Sequence, residues 1–142
     1  NDIDVLVTKL GDSENEDLED ENHLKMFVNK LKKNIKLNNN KPLLVDDMID
    51  TAGTLCKAAR LLKDRGARNV YAFASHGVFS GPAYERIRDS VLKEVVILDT
   101  MPLPKGQIPS QITQISVSTL VAEAIRRSRD NDSVLSISMS RL

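Results

Sequence analysis

The sequence predicts an α/β domain built on a parallel sheet, and three observations predict it. From Lys41 onward, short apolar runs alternate with segments of helical period. The first apolar run passes through a small polar turn directly into a helix, the connection typical of a strand followed by a crossover. With 142 residues, 41% hydrophobic and 28% charged, the chain has material for one ordinary core and too little for two.

Taken in order, Pro42 to Val45 reads as a strand. Leu55, Ala58, Ala59 and Leu62 then form the inward face of a helix ended by Gly66, a favoured C-terminal cap. Asn69 to Ser75 is a second strand, Gly81 to about Ser90 a second helix, and Val95 to Leu98 a third strand. The segment Met101 to Pro109 holds three prolines and is a loop. Gln114 to Val117 reads as another short strand, with Ser118 at the N-cap position of a helix. The apolar face of that helix is Leu120, Val121, Ala124 and Ile125, and Arg126, Arg127 and Arg129 complement the dipole in its last turn. Val134 to Met139 alternates as a terminal edge strand. Right-handed crossovers gather the C-terminal ends of such strands on one edge, where ligands bind.

Residues 1–41 differ in character from residues 42–142, which form the domain proper. An acidic tract between Asp12 and Glu21 precedes a lysine-rich stretch and three asparagines, Asn38 to Asn40. Leu24, Phe27, Val28, Leu31 and Ile35 recur at offsets of three and four, so an amphipathic helix is expected from about Asn22 to Leu37. This segment reads as a solvated, insert-like stretch with one packed helix. No initiator Met opens the chain, and a longer parent protein is expected.

Twenty basic and 20 acidic side chains cancel, so no charge excess advertises nucleic acid or an anionic membrane as partner. No apolar run approaches the ~20 residues that span a bilayer, and a signal-peptide pattern is missing from the first residues. Cys56 is the single cysteine and has no internal disulfide partner, which suits a reducing, cytoplasmic setting.

The chemistry concentrates between Leu43 and Thr54. Thr51, Ala52, Gly53 and Thr54 can bring successive backbone N–H groups, two hydroxyls and a helix N-terminus around one anion, and Gly53 leaves room for close approach. Asp46 and Asp47 would repel a phosphate but can accept hydrogen bonds from neighbouring hydroxyls about one sugar ring away. An Asp pair after a strand is often only a solvated turn, and Gly-Thr at a helix start is often only a cap. Their ordered combination behind an apolar strand selects a sugar phosphate, ribose 5-phosphate above all.

Val45-Asp46-Asp47-Met48-Ile49-Asp50-Thr51-Ala52-Gly53-Thr54 resembles the motif that binds 5-phosphoribosyl 1-pyrophosphate (PRPP) in type I phosphoribosyltransferases and ribose-phosphate pyrophosphokinases. The motif alone does not choose between them. Ser75-His76-Gly77-Val78-Phe79-Ser80-Gly81-Pro82-Ala83 and Ala122-Glu123-Ala124-Ile125-Arg126-Arg127 are similar to segments of the pyrophosphokinases, and the spacing of the three blocks agrees. The resemblance is therefore to the C-terminal domain of a PRPP synthetase, and it implies a type I phosphoribosyltransferase-like parallel sheet with helices on both faces.

That resemblance implies a reaction in which the anomeric hydroxyl of ribose 5-phosphate attacks the β-phosphorus of ATP, giving PRPP and AMP with magnesium as cofactor. It assigns Asp46 and Asp47 to the ribose hydroxyls, and Asp50, Thr51, Ala52, Gly53 and Thr54 to the 5-phosphate. No catalytic residue and no metal ligand is assigned to this chain, because the family's ATP and magnesium ligands lie upstream of the motif. The chain alone is expected to be inactive. Implied partners are its own N-terminal domain and further copies, as dimers assembling into a hexamer. His76 is expected to be structural or interfacial, His23 has no role, and Cys56 is a packed residue rather than a nucleophile. The family's regulatory hydroxyls near the C-terminus are matched by Ser133, whereas Leu135 stands where a serine is common. Two alternatives stay open: a non-catalytic PRPP-synthetase-like subunit, or a phosphoribosyltransferase.

Overall fold

Five parallel strands run in the order β1-β2-β3-β4-β5 in the computed structural model, which describes residues 5–7 and 41–134. They are β1 (Val5–Val7), β2 (Leu43–Ile49), β3 (Val70–Gly77), β4 (Leu92–Leu98) and β5 (Ile112–Ile115). Three helices, α1 (Gly53–Asp64), α2 (Ala83–Arg88) and α3 (Ser118–Arg129), complete the described elements. The expected helix from Asn22 to Leu37 lies outside the described residues, as does the expected edge strand beyond Val134.

The parallel sheet flanked by helices is the expected architecture. Strands in sequential order joined by right-handed crossovers carry successive helices on the same side of a sheet. Accordingly α1 and α2 share one core with Leu44, Ala72, Ala74, Val95 and Ile97 of the sheet. The inward face of α1 is the one its spacing predicts: Leu55, Ala58, Ala59 and Leu62 are all buried. Beyond its C-cap, Gly66 takes φ 95°, a conformation that suits glycine. Gly66 N–H then bonds Lys63 O, and Ala67 N–H bonds Leu62 O. These two bonds form a Schellman motif that ends the helix.

Several boundaries differ from the sequence expectation: β4 begins at Leu92 rather than Val95, β3 runs on to Gly77, and α2 is shorter than Gly81 to Ser90. β2 continues four residues past Val45 because its backbone pairs with β3, Asp46 against Ala74 and Ile49 against Gly77, which overrides the poor strand propensity of aspartate. β5 begins at Ile112 rather than Gln114, since Val95 pairs with Ile112 and Leu98 with Ile115. Val5–Val7 is an unanticipated strand pairing with Leu43–Val45. Ser118 is the first residue of α3, not its cap. The N-cap is Val117, whose N–H bonds Asp99 Oδ1 at 2.8 Å, while Ser116 Oγ accepts the Ser118 N–H.

The apolar face expected of α3 is not buried. Leu120, Val121 and Ile125 are exposed, because no described element packs over them. Toward the end of α3, Glu123 accepts hydrogen bonds from Arg126 and Arg127, at 3.0 and 2.6 Å, which hold its carboxyl down to about 2. No helix among the described residues is long and apolar enough to cross a membrane.

Gly77 closes β3 under tight packing. A Cβ built there would sit 2.6 Å from both Ile97 Cδ1 and the Phe79 ring. Gly77→Ala is therefore expected to cost about 1–3 kcal/mol as an overpacking change. Urea denaturation checks this, and unchanged stability would show that the two neighbours yield freely.

Candidate functional site

β2 delivers the chain to the C-terminal edge of the sheet, and the turn Asp50 to Ala52 carries it into α1. Ala52 is the N-cap of α1 and adopts φ 60°, ψ 8°, a left-handed conformation uncommon for a residue with a Cβ. It is also buried, at 5% exposure, so the surrounding atoms hold it there. The first helical bond, Cys56 N–H to Ala52 O at 3.0 Å, leaves the N–H groups of the opening turn directed along the helix axis. A left-handed residue followed by a helix start is a concave arrangement of N–H groups suited to an anion.

A second turn braces this loop from the end of β3. Ile49 O accepts both the Val78 and Phe79 N–H groups, each at 3.0 Å. Ser80 Oγ donates to Asp50 Oδ1, tying the two turns side chain to side chain. Phe79 has φ 50° and is buried against Tyr84, ring centroids 5.4 Å apart. From α2, Arg86 Nη1 donates to Thr51 O at 3.1 Å. The built Cβ at Gly53 would lie 3.1 Å from the same Nη1, so the space left by this glycine is filled by the arginine.

Asp46 and Asp47 lie within β2, not beyond it, and their carboxylates accept the N–H of the following residue, 2.9 Å to Asp47 and 3.0 Å to Met48. Successive strand side chains leave a sheet on opposite sides. Asp46 is half-buried and Asp47 exposed, so the two flank the strand end. The turn Asp50 to Ala52 runs directly into Gly53 and Thr54, the first two residues of α1.

His76 stands beside Met48 in register, at the same edge. Thr100 Oγ1 donates to Ser75 O at 2.8 Å and so accepts from His76 Nδ1, also at 2.8 Å. That chain ties the end of β3 to the residue after Asp99, in keeping with a structural role. Burial pushes the Cys56 thiol up, against smaller lowering effects of Ser90 and Arg86, and its Sγ–H faces Arg86 O at 3.5 Å. Such a thiol is packed rather than poised for attack. Ser133 is exposed, and Leu135 lies outside the described residues.

Sequence reasoning missed Ser80, Arg86 and Thr100. All three act on the loops from a distance of at least 24 residues in the chain, a relation that no local pattern encodes. Among the described residues, no group of three or more His, Cys, Asp or Glu side chains is arranged to hold a metal ion.

Comparison with known proteins bears on the same region. The family described as "Phosphoribosyl synthetase-associated domain" matches residues 11–139. A ribose-phosphate pyrophosphokinase of Caldanaerobacter subterraneus subsp. tengcongensis is 55% identical over 94 residues, which is 66% of this chain and 30% of that protein. The Clostridium perfringens enzyme of the same name is 51% identical over 90 residues, 63% of this chain and 28% of the relative. The crystal structure of phosphoribosylpyrophosphate synthetase from Mycobacterium smegmatis superposes with a TM-score of 0.66 at 36% identity, covering 69% of this chain and 33% of that one. The chain thus spans about a third or less of the relatives it matches. With the matched family covering most of its length and the fold agreeing, the chain belongs to the ribose-phosphate pyrophosphokinase (PRPP synthetase) family, as a phosphoribosyltransferase-like domain.

Proposed function

We propose that this chain supplies the ribose 5-phosphate site of a ribose-phosphate diphosphokinase, whose parent protein makes PRPP and AMP from ribose 5-phosphate and ATP. The observation that supports this best is the left-handed Ala52 at the start of α1, which shapes the Asp50–Thr54 turn as an anion cup beside Asp46 and Asp47. In this reading the 5-phosphate sits against the N–H groups of the turn, with the Thr51 and Thr54 hydroxyls beside it. Asp46 and Asp47 accept hydrogen bonds from the ribose hydroxyls across the strand end. The sugar is thereby oriented at both ends, which places its anomeric hydroxyl for attack and removes rotational freedom before reaction.

Magnesium and ATP are bound by parts of the parent outside the described residues, so this chain alone binds but does not turn over. Its partners are its own N-terminal domain and further copies of the parent, and the setting is cytoplasmic. Calorimetric titration with ribose 5-phosphate tests the reading: saturable binding at millimolar ligand or below is expected. A folded sample that gives no heat at millimolar ligand removes it. Asp50→Lys removes the acceptor of the Ser80 hydroxyl and frees the second turn from the loop. Affinity is expected to fall by about tenfold, the scale of one hydrogen bond to a charged group; an unchanged affinity would point to a different loop.

A further inference from the structure

We propose that Arg86 is a positioning residue for the anion loop, acting as a clasp on the Thr51–Ala52 peptide; this rests on the reading of that loop as the phosphate site. A trans peptide points its C=O and N–H in opposite directions. Arg86 Nη1 holds Thr51 O at 3.1 Å and so turns the Ala52 N–H away from the arginine, toward the concave side of the loop. Ala52 at φ 60° is a residue whose own preference does not maintain this geometry, so an external hold is needed. Without the clasp the peptide can rotate and present its carbonyl oxygen to the anion, which repels it.

The identity of residue 53 follows from the same contact. Gly53 has an ordinary backbone conformation and opens α1, a place where glycine is a poor helix former. A Cβ there would press on Nη1 at 3.1 Å and approach Cζ at 3.7 Å. The glycine makes room for the guanidinium plane, and the plane holds the loop. Arg86 itself is mounted firmly, with its N–H bonded to Pro82 O at 2.9 Å and its O facing Cys56 Sγ at 3.5 Å. Loop, helix start and clasp are therefore one unit built from two distant segments.

The test is a double-mutant cycle on the full chain, read by calorimetry with ribose 5-phosphate and by thermal melts. Arg86→Ala is expected to weaken binding about tenfold or more, and Arg86→Lys nearly as much, since an ammonium keeps the charge but not the planar fork. Gly53→Ala is expected to weaken binding about tenfold when Arg86 is present, and less than about twofold on top of Arg86→Ala. Full affinity in Arg86→Ala, full rescue by Arg86→Lys, or additive losses would each overturn the clasp. If Arg86→Ala fails to fold, the lysine variant carries the same comparison. If the unsubstituted chain binds no ribose 5-phosphate, the proposed function falls by itself. The clasp is then judged by the melts: non-additive losses for Gly53→Ala with Arg86→Lys sustain it, and additive ones sink it.

Discussion

Ala52→Val is expected to abolish measurable ribose 5-phosphate binding, while Ala52→Gly keeps it. The reason lies in the backbone. At φ 60°, ψ 8° residue 52 is left-handed, and a β-branched side chain is a genuine outlier in that region. Holding valine there costs about 1–3 kcal/mol of conformational strain. Ala52 is also only 5% exposed, so two extra methyl groups meet packed neighbours and add an overpacking cost on the order of 1–3 kcal/mol. The chain relieves both by leaving the left-handed well, and the N–H groups of the α1 start then no longer converge. Glycine enters that well freely, so its variant retains the loop and loses only the methyl contacts. Calorimetry on both variants, with circular dichroism to confirm folding, reads the outcome. Binding by a folded Ala52→Val protein at full affinity would mean that the observed turn is not the binding conformation.

The parts of the fold legible in the sequence are those where local pattern and tertiary demand agree. The α1 face Leu55, Ala58, Ala59 and Leu62 repeats at helical spacing and is buried accordingly, and Gly66 caps it. β3 and β4 announce themselves through apolar runs. The misread boundaries are places where pairing decides. Asp46 and Asp47 look like a turn to any propensity scale, yet the pairing of Asp46 with Ala74 and of Met48 with His76 keeps this stretch in a strand. Val5–Val7 is three residues beside a charged tract, too short a signal to stand out. In α3 the apolar periodicity is real, but periodicity states only that a face could be covered.

The candidate site shows the same division. Its loop residues are contiguous, so their pattern was visible in one stretch of sequence. Its supports are not: Ser80 reaches Asp50, and Arg86 reaches Thr51 and Gly53, from the far side of β3. The glycine illustrates the limit well. From sequence, Gly53 makes room for a ligand, whereas in the fold it makes room for an arginine side chain. Residue type was informative and the identity of the neighbour was not.

Ile87→Ala is expected to lower stability by about 2–5 kcal/mol and to weaken ribose 5-phosphate binding along with it. α2 is six residues long, too short to persist on its own helical propensity, and only Ala83 and Ile87 of it are buried. Ile87 is fully enclosed at 0% exposure and is much the larger of the two anchors. Its carbonyl also receives the Ser90 hydroxyl at 2.8 Å and Gln111 Nε2 at 3.1 Å, so a shift of this residue loosens the end of α2 as well. Arg86 precedes it directly, and the clasp on Thr51 moves with the helix. Leu62→Ala is the matched comparison: it is equally buried and lies near the end of α1 far from the loop. Urea denaturation should report losses of similar size for the two variants. Calorimetry under conditions where both are folded should then separate them, with affinity reduced for Ile87→Ala and retained for Leu62→Ala. Equal affinities would mean that α2 stabilises the fold without positioning the loop, and that the site depends on α1 and the Ser80 turn alone.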